Sequence, residues 1–386
     1  MYRNLEEMRR SVQQHLQLDQ GRVTGFTADE LPPGAVDAFA RNAIFNPDPT
    51  VRTQLRQILR SAAACRGICS ESVAPWLEAR EGHGALLAVR LGGHCYDLAR
   101  LVLRSAMARG VGRLVFEQGW TGQSPWEFSA LLAAAALRER WPFPLLLRCG
   151  LPPLASDLLP GGTDVEALED LLATARSAEL LNLTLRVSPA GLVRRRSNAE
   201  LHQLAVAARE RGMAISLRVD EPPAFGPDAE EVLGALRELS RQAAPHLLTL
   251  CEDGLDWPAG RAAAWLEASG ARGLALSGLR PQDLLLRSVP AHVAEVRVEF
   301  DWAERIVMHP EFLAERRREL LNWLRGSRRG DPPMTDSALL RRFEYQALGH
   351  FEFELWNLDG MADFREEFMA MLDRLFQTLG LCAPMA

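Results

Sequence analysis

The residues best suited to chemistry are arginines and carboxylates that recur inside short apolar segments. In AISLRVDE, alternation places Arg218 and Asp220 on one face of a strand, opposite Ile215, Leu217 and Val219. The same parity, applied to eight such segments, predicts one inner surface that is rich in charge. Its members are five arginines and five carboxylates, in chain order Arg90, Glu117, Arg148, Arg186, Arg218, Asp220, Glu252, Glu295, Arg297 and Glu299.

Arginines that converge on one surface can bind an anion, because the guanidinium fork matches carboxylate and phosphate groups. They can also pair with carboxylates as an inert plug, since a buried charge costs several kcal/mol unless it is paired. The sequence leaves both interpretations open. The predicted ligand-binding set for a sugar phosphate or another anion is Arg90, Arg148, Arg186, Arg218, Arg297 and Glu299.

Three of the carboxylates are candidates for catalysis: Glu117, Asp220 and Glu252. A carboxylate pair can act as general acid and base, and an all-oxygen set can hold Mg²⁺. Strand parity alone does not tell which two of them converge, so the catalytic residues stay unassigned.

The sequence lacks the residues that several common catalytic mechanisms require. All 44 Lys and Arg residues are Arg, so neither a lysine Schiff base nor lysine-held pyridoxal phosphate is available. Among eight histidines, only His94 directly follows a predicted strand, and His309 lies in a later loop. Three converging histidines for zinc are therefore missing, and we expect no metal or cofactor. Cys149 adjoins Arg148, but strand parity turns its side chain away from the lumen and no histidine is placed to act as its base. We therefore predict that this thiol is structural.

The charged positions belong to strands that alternate with amphipathic helices between residues 85 and 326. The strands are predicted at 85–92, 113–119, 144–150, 180–188, 214–221, 246–253, 272–278 and 293–300. Eight strand–helix units of this size predict an α/β fold, the (β/α)₈ TIM barrel, whose chemistry lies at the C-terminal strand ends. An open doubly wound sheet is the alternative, although the first turn, LGGHCYD, lacks a GxGxxG motif.

Helical extensions are predicted on both sides of the barrel. Residues 1–84 form the N-terminal extension, with helices at 1–18, 36–44 and 49–66, and residues 327–386 form the C-terminal one. We expect these extensions to pack against the barrel or against a partner chain.

Composition narrows the class of protein further. The 386 residues carry a net charge of −6, which gives no basic footprint for nucleic acid. No apolar run approaches the length of a membrane span, the first residues lack a leader-like apolar core, and the six cysteines are scattered. We therefore expect a cytoplasmic protein that binds neither nucleic acid nor membrane.

Several segments, taken in order, resemble the class II aldolase superfamily, specifically its fructose-bisphosphate type. They are IFNPDPTVR (44–52), YDLARLVLRSA (96–106), LVFEQG (114–119), TGQSPWEF (121–128), MHPEFLAERRRELLNWLR (308–325), ALGHFEFELWNLD (347–359) and RLFQTLGL (374–381). The resemblance implies a TIM barrel and carbon–carbon lyase ancestry.

The metal ligands of that family do not carry over. Similar proteins end the third strand with Gly-Asp-His, whereas this chain has Arg148-Cys149-Gly150; they carry histidines after strand six and at strand seven, whereas this chain has 251–254 as CEDG and 276–278 as LSG. The resemblance therefore implies a barrel that has lost the catalytic metal site, acting as a non-catalytic subunit or a sugar-phosphate-binding regulator. It also implies a homo-oligomer or a heteromer with an active paralogue. The alternative is an active lyase, aldolase or isomerase with a rebuilt Arg/carboxylate site.

Overall fold

The fold is known from a computed structural model, which describes residues 1–29, 31–78, 85–91, 95–119, 123–152, 154, 163–220, 227–253, 261–279, 293–300 and 361–381. Within these ranges it describes the side chains of all residues except 95, 227, 252–253, 261–264, 276–279, 299–300, 361–364 and 367.

The N-terminal part combines helices with a small hairpin. Its elements are α1 (Leu5–Gln13), β1 (Leu16–Asp19), β2 (Arg22–Phe26), α2 (Pro33–Phe45), α3 (Pro49–Cys65) and α4 (Ala74–Glu78). The helices predicted at 36–44 and 49–66 are thereby confirmed. Pro33 and Pro49 stand in the first turns of their helices, where a missing N–H is harmless.

The helix predicted over residues 1–18 is wrong beyond Gln13. The chain instead turns into an antiparallel hairpin in which Asp19 pairs with Arg22. Gln20 and Gly21 form the two-residue turn, and both have positive φ, 47° and 80°. A turn of this hand matches the twist of the flanking strands. The sequence signal was Gly21 between the alternating segments LQLD and RVTGF, which the helical periodicity of the first residues obscured.

Strands and helices then alternate through the centre of the chain. The strands are β3 (Leu86–Leu91), β4 (Leu114–Gln118), β5 (Leu146–Gly150), β6 (Asn182–Val187), β7 (Ala214–Asp220), β8 (Leu247–Asp253), β9 (Gly273–Leu279) and β10 (Glu295–Phe300). The helices are α5 (Cys95–Ala108), α6 (Pro125–Glu139), α7 (Val165–Ser177), α8 (Pro189–Leu192), α9 (Arg195–Glu210), α10 (Pro227–Ala243) and α11 (Arg261–Ser269).

The eight parallel strands in the described residues close into a barrel in the order β10-β3-β4-β5-β6-β7-β8-β9. Closure is made by β10, which pairs with both β3 and β9. The predicted TIM barrel is therefore confirmed, and the open-sheet alternative is wrong. The strands lie within two residues of their predicted bounds. The helices predicted after β9 and at 312–326 lie outside the described residues.

The bottom of the barrel is filled by the base segment, which we define as residues 69–78. Its Val73 and Leu77 pack against a ring of inward-facing apolar side chains, namely Leu86, Ala88, Val115, Leu146, Ala214 and Leu247. The backbone N–H of Val73 donates to Asn182 Oδ1 at 2.7 Å inside the barrel, and Ser70 forms a parallel bridge with Leu145. The N-terminal extension thus contributes directly to the barrel core.

Polar contacts fasten the outer helices to the barrel. Asp37 on α2 accepts a hydrogen bond from the Tyr96 hydroxyl of α5 at 2.6 Å and from Arg138 of α6 at 3.1 Å. A C-terminal helix, α12 (Met361–Thr378), packs on α5, where Asp373 accepts from Ser105 and Arg109, both at 2.6 Å. No helix in the described ranges is long and apolar enough to cross a membrane.

Candidate functional site

The predicted charged residues whose side chains are described gather in the barrel lumen, because the strand register brings their Cα atoms level. Glu117 pairs with Arg90 on one side and with Arg148 on the other, and Arg186 pairs with Arg218. The described side chains form two levels above the apolar base. We call them the middle layer (Glu117, Arg148, Glu295 and Arg297) and the upper layer (Arg186, Arg218 and Asp220).

The middle layer is centred on a two-pronged ion pair between Arg148 and Glu295. Arg148 donates from Nη1 to Oε1 and from Nη2 to Oε2 of Glu295, both at 2.6 Å. Both side chains are completely inaccessible to solvent. Such a fork-to-carboxylate contact has the strongest geometry available to an arginine pair. The third barrel strand, β5, therefore places one half of a sealed ion pair in the lumen.

Glu117 and Arg297 complete this layer. Glu117 Oε2 lies 3.2 Å from Arg297 Nη1 and 3.7 Å from Arg148 Nη1, and it accepts a hydrogen bond from the Thr184 hydroxyl at 2.9 Å. Arg297 also reaches Glu295 at 3.3 Å. Two guanidinium groups and two carboxylates thus balance one another in a place without solvent, which is the condition under which buried charge is tolerated.

Opposite charge outweighs burial in setting the pKa of both carboxylates. Burial pushes the pKa of Glu117 upward, but Arg297, Arg148, Arg90 and Arg218 together hold it below its usual value. Burial likewise raises the pKa of Glu295, and Arg148 then Arg297 reverse that rise. Both groups are therefore carboxylates at neutral pH, and neither holds a proton that it could donate as a general acid.

These depressed pKa values predict acid lability. A carboxyl group whose folded pKa lies below its unfolded value of 4.5 stabilises the fold above that pH, and the stabilisation is lost as pH falls through the folded pKa. We expect the free energy of unfolding, measured with urea at several pH values, to fall steeply below about pH 4.5. The combined variant Arg148→Met, Glu295→Gln lacks one of these groups and should show a shallower fall. An equal slope in both proteins would contradict this assignment.

The upper layer lies closer to solvent, and its described contacts centre on the carboxylate of Asp220. Asp220, the last residue of β7, accepts from Arg218 Nε at 2.6 Å through Oδ1. Its Oδ2 accepts from Arg186 Nε at 3.0 Å and from Arg186 Nη2 at 2.7 Å. The side chains of Arg186 and Asp220 are 18% and 15% exposed, whereas that of Arg218 is 3% exposed. This layer is thus the place where solvent reaches the described lumen charges.

Asp220 is also a carboxylate at neutral pH. Burial raises its pKa, but Arg218 and Arg186 lower it below the ordinary value by charge and by hydrogen bonding. Arg218 Nη2 additionally donates to the sulfur of Cys251 at 2.8 Å. One carboxylate therefore serves two guanidinium groups, and Arg186 Nη1 has no hydrogen-bond partner within the described part of the chain.

Two further residues of the predicted ligand-binding set lie on β3 and β10. Arg90 is buried, with its Nε 4.0 Å from Glu117 Oε1. Glu299 is level with Arg90 in the ladder between β10 and β3, but its side chain lies outside the described residues. These positions, together with the middle and upper layers, account for the predicted ligand-binding set.

In β8 the described side chains that meet lumen residues belong to Thr249, whose hydroxyl lies 3.3 Å from the Ser216 hydroxyl, and to Cys251. Neither contact was predicted, because HLLTLC carries leucines on both parities and alternation could not fix which residues of this strand face inward. The side chain of Glu252, which was predicted to face the lumen, lies outside the described residues.

Other lumen residues were not foreseen as such. Asn182 begins β6 and is fully buried, with its side chain bonded to the base segment and to Leu147 O at 2.8 Å. Its position two residues before Thr184 was the available signal. Cys149 faces outward into the apolar core, as predicted, and burial raises its pKa to about 12. His94 and His309 lie outside the described residues.

In the described part of the chain, no group of three or more His, Cys, Asp or Glu side chains is arranged to hold a metal ion. Carboxylates that face the lumen there are instead engaged by arginines. The described arrangement is suited to binding negatively charged oxygen atoms at the upper layer and to rigid packing below it.

The sequence matches no protein-family model, and no curated protein matches it significantly. Solved structures similar to the chain include a candidate fructose-1,6-bisphosphate aldolase from Coccidioides immitis, at 16% identity over 80% of this chain and 96% of that one, with a TM-score of 0.41. The carboxyl transferase domain of Rhizobium etli pyruvate carboxylase shows 16% identity over 81% of this chain, with a TM-score of 0.44, and this chain spans 50% of that one.

D-psicose 3-epimerase from Clostridium cellulolyticum H10 shows 11% identity over 76% of this chain and 99% of that chain, with a TM-score of 0.39. Similarities of this size carry no argument about activity. The assignment of the TIM barrel therefore rests on the closed ring of strands itself.

Proposed function

We propose that this protein is an aldolase-like TIM barrel that has lost the catalytic metal site and binds a phosphorylated or carboxylated sugar at its mouth. The proposal is supported chiefly by the upper layer, where Arg186 and Arg218 both bind the carboxylate of Asp220 within reach of solvent. Arginine forks placed at the C-terminal ends of barrel strands are suited to hold phosphate or carboxylate oxygens.

The middle layer supports the non-catalytic part of the proposal. Glu117 was a candidate acid or base, but it is sealed from solvent and held by Arg297, Arg148 and Thr184. A group that serves as a structural counter-ion cannot approach a substrate without breaking that arrangement. Asp220 is the described candidate that touches solvent, so the alternative of an active lyase or isomerase depends on it.

We test the binding function with Arg186→Gln, because Arg186 reaches the upper layer without entering the sealed one. Wild-type protein should bind fructose 1,6-bisphosphate or gluconate in calorimetric titrations, and unphosphorylated fructose should bind much more weakly. The variant loses a charged donor and should bind at least about tenfold more weakly, since one charge-assisted hydrogen bond contributes about 1.5–3 kcal/mol.

Arg196→Gln is the matched control, because Arg196 is 83% exposed and pairs only with Glu200 in the described structure. It should leave affinity unchanged. Failure of every anionic probe to bind either the wild-type protein or Asp220→Asn, or equal weakening by Arg186→Gln and Arg196→Gln, would refute the proposed site. Cleavage of fructose 1,6-bisphosphate by the purified protein, lost in Asp220→Asn, would instead establish the enzymatic alternative.

The resemblance also suggests a homo-oligomer or a heteromer with an active paralogue, and we propose this as the context in which a non-catalytic barrel acts. Size-exclusion chromatography with light scattering gives the homo-oligomeric state directly. Co-purification of an intact aldolase with the tagged protein would support the heteromer, and a monomer that captures no such paralogue would refute it.

A further inference from the structure

Asp220 occupies the position that the anionic group of a ligand would take in the upper layer. Its two oxygens are divided between two arginines, with Oδ1 bound to Arg218 and Oδ2 bound twice to Arg186. This is the arrangement that a bound carboxylate or phosphate would adopt between the same guanidinium groups. The chain therefore supplies its own carboxylate to the pair of arginines.

The donors that Asp220 engages are the ones that a ligand needs. Arg218 is 3% exposed, and its remaining described donor contact goes inward, to Cys251. Arg186 keeps Nη1 as the donor without a described partner, and its side chain is 18% exposed. An anion that arrives from solvent can meet Arg186 first, but it cannot use both arginines unless the Asp220 carboxylate moves away.

We propose that Asp220 is an intramolecular competitor that keeps the anion site closed until a ligand displaces it. This inference rests on the proposed function, because it concerns the same arginines. Displacement requires only rotation of one short side chain at the end of β7 and leaves the sealed middle layer intact. The exchange replaces one carboxylate by the ligand's own oxyanion, so the arginines stay paired throughout.

Competition with Asp220 favours ligands that bind the two arginines more strongly than a carboxylate does. A carboxylate offers the arginines the same charge and the same two oxygens as Asp220, so it gains little and must overcome a group that is tethered nearby. A phosphomonoester carries up to two charges and three acceptor oxygens, and the third oxygen can also engage Arg186 Nη1. The ligand class that this site favours is therefore a phosphorylated sugar over a sugar acid.

Asp220→Asn tests the competitor role. The amide keeps the size of the side chain but removes the charge that binds the arginines, so the variant should bind inorganic phosphate and fructose 1,6-bisphosphate at least about tenfold more tightly than wild type. Gluconate should gain by a similar factor, because the displacement of Asp220 costs the same whichever anion binds. Arg196→Gln serves again as the unchanged control, and thermal unfolding confirms that Asp220→Asn folds.

Ionic strength separates competition from simple repulsion. A gain that came only from long-range repulsion of the anion through solvent would be largely lost in about 0.5 M salt, because such interactions are screened over a few ångströms there. A gain that comes from freeing the position of the Asp220 carboxylate should persist: the ratio of the dissociation constants of wild type and variant should stay the same in salt. Loss of the ratio in salt, or equal affinities in both proteins at low salt, would overturn the competitor role.

The two proposals fail differently. If wild type binds phosphorylated probes and Asp220→Asn binds no better, the competitor role is refuted while the binding function stands. If neither protein binds any anionic probe, the binding function itself is refuted. Binding by the variant alone would support the competitor role in its strongest form, in which Asp220 excludes the probes tested.

Discussion

Arg148→Met should destabilise the protein by about 3–5 kcal/mol, measured as the free energy of urea unfolding at pH 7. Removing one partner of a sealed ion pair leaves the other as an uncompensated charge, and losses of this size are typical of that change. Glu295 would lose both of its 2.6 Å contacts and, among its described ion pairs, keep the 3.3 Å contact to Arg297. Methionine fills much of the vacated volume, so the loss reports on charge more than on a cavity.

The combined variant Arg148→Met, Glu295→Gln distinguishes charge pairing from packing. It removes one positive and one negative charge and leaves Arg297 beside Glu117 at 3.2 Å. We expect it to be more stable than Arg148→Met alone, because replacing a complete buried pair by neutral groups is often close to neutral. If the combined variant is instead as unstable as the sum of its parts, the two side chains do not act as a pair.

Strand alternation predicted most of the residues that line this lumen, because apolar and polar residues alternate regularly along most of the strands. In β7, apolar residues at one parity and Ser216, Arg218 and Asp220 at the other could be assigned without tertiary information. A barrel closes such strands so that residues of one parity face inward. The charges therefore had to meet, and the cost of burying them predicted that they would pair.

The choice of partners could not be predicted, since it depends on the stagger between strands and on the reach of long side chains. Arg148 lies level with Glu117 in the ladder, yet its two-pronged contact goes to Glu295, which is on a strand that is not its neighbour. Sequence reasoning also failed where apolar residues fall on both parities, as in β8. In that strand the described side chains that meet lumen residues are those of Thr249 and Cys251, which alternation did not single out.

The sequence predicted one charged surface, whereas the structure separates the charges into two layers with different surroundings. Below, equal numbers of arginines and glutamates neutralise one another out of solvent, which stabilises one arrangement of the core. Above, Arg186 and Arg218 both bind the carboxylate of Asp220 in a layer that solvent reaches. The ion-paired plug that the sequence offered as one alternative describes the middle layer, and the anion site that we propose would lie directly above it in the same lumen.

Asn182→Leu should destabilise the fold by about 2–5 kcal/mol and release the base segment from the barrel. Asn182 Oδ1 accepts from the N–H of Val73 at 2.7 Å, and its Nδ2 donates to Leu147 O at 2.8 Å and to Glu71 O at 3.2 Å. Leucine has a similar size but leaves these backbone groups without partners, and each unmet buried group costs about 1–3 kcal/mol.

Hydrogen exchange gives the most direct measurement, because the amide of Val73 is the group that Asn182 protects. We expect that amide to exchange much faster in Asn182→Leu, while amides in α9, on the opposite surface of β6, keep their protection. Ser72→Ala is the matched control: Ser72 accepts from Ala74 N at 3.2 Å within the same segment but does not touch Asn182. Unchanged exchange at Val73 in Asn182→Leu would show that packing of Val73 and Leu77, and not this hydrogen bond, holds the segment in the barrel.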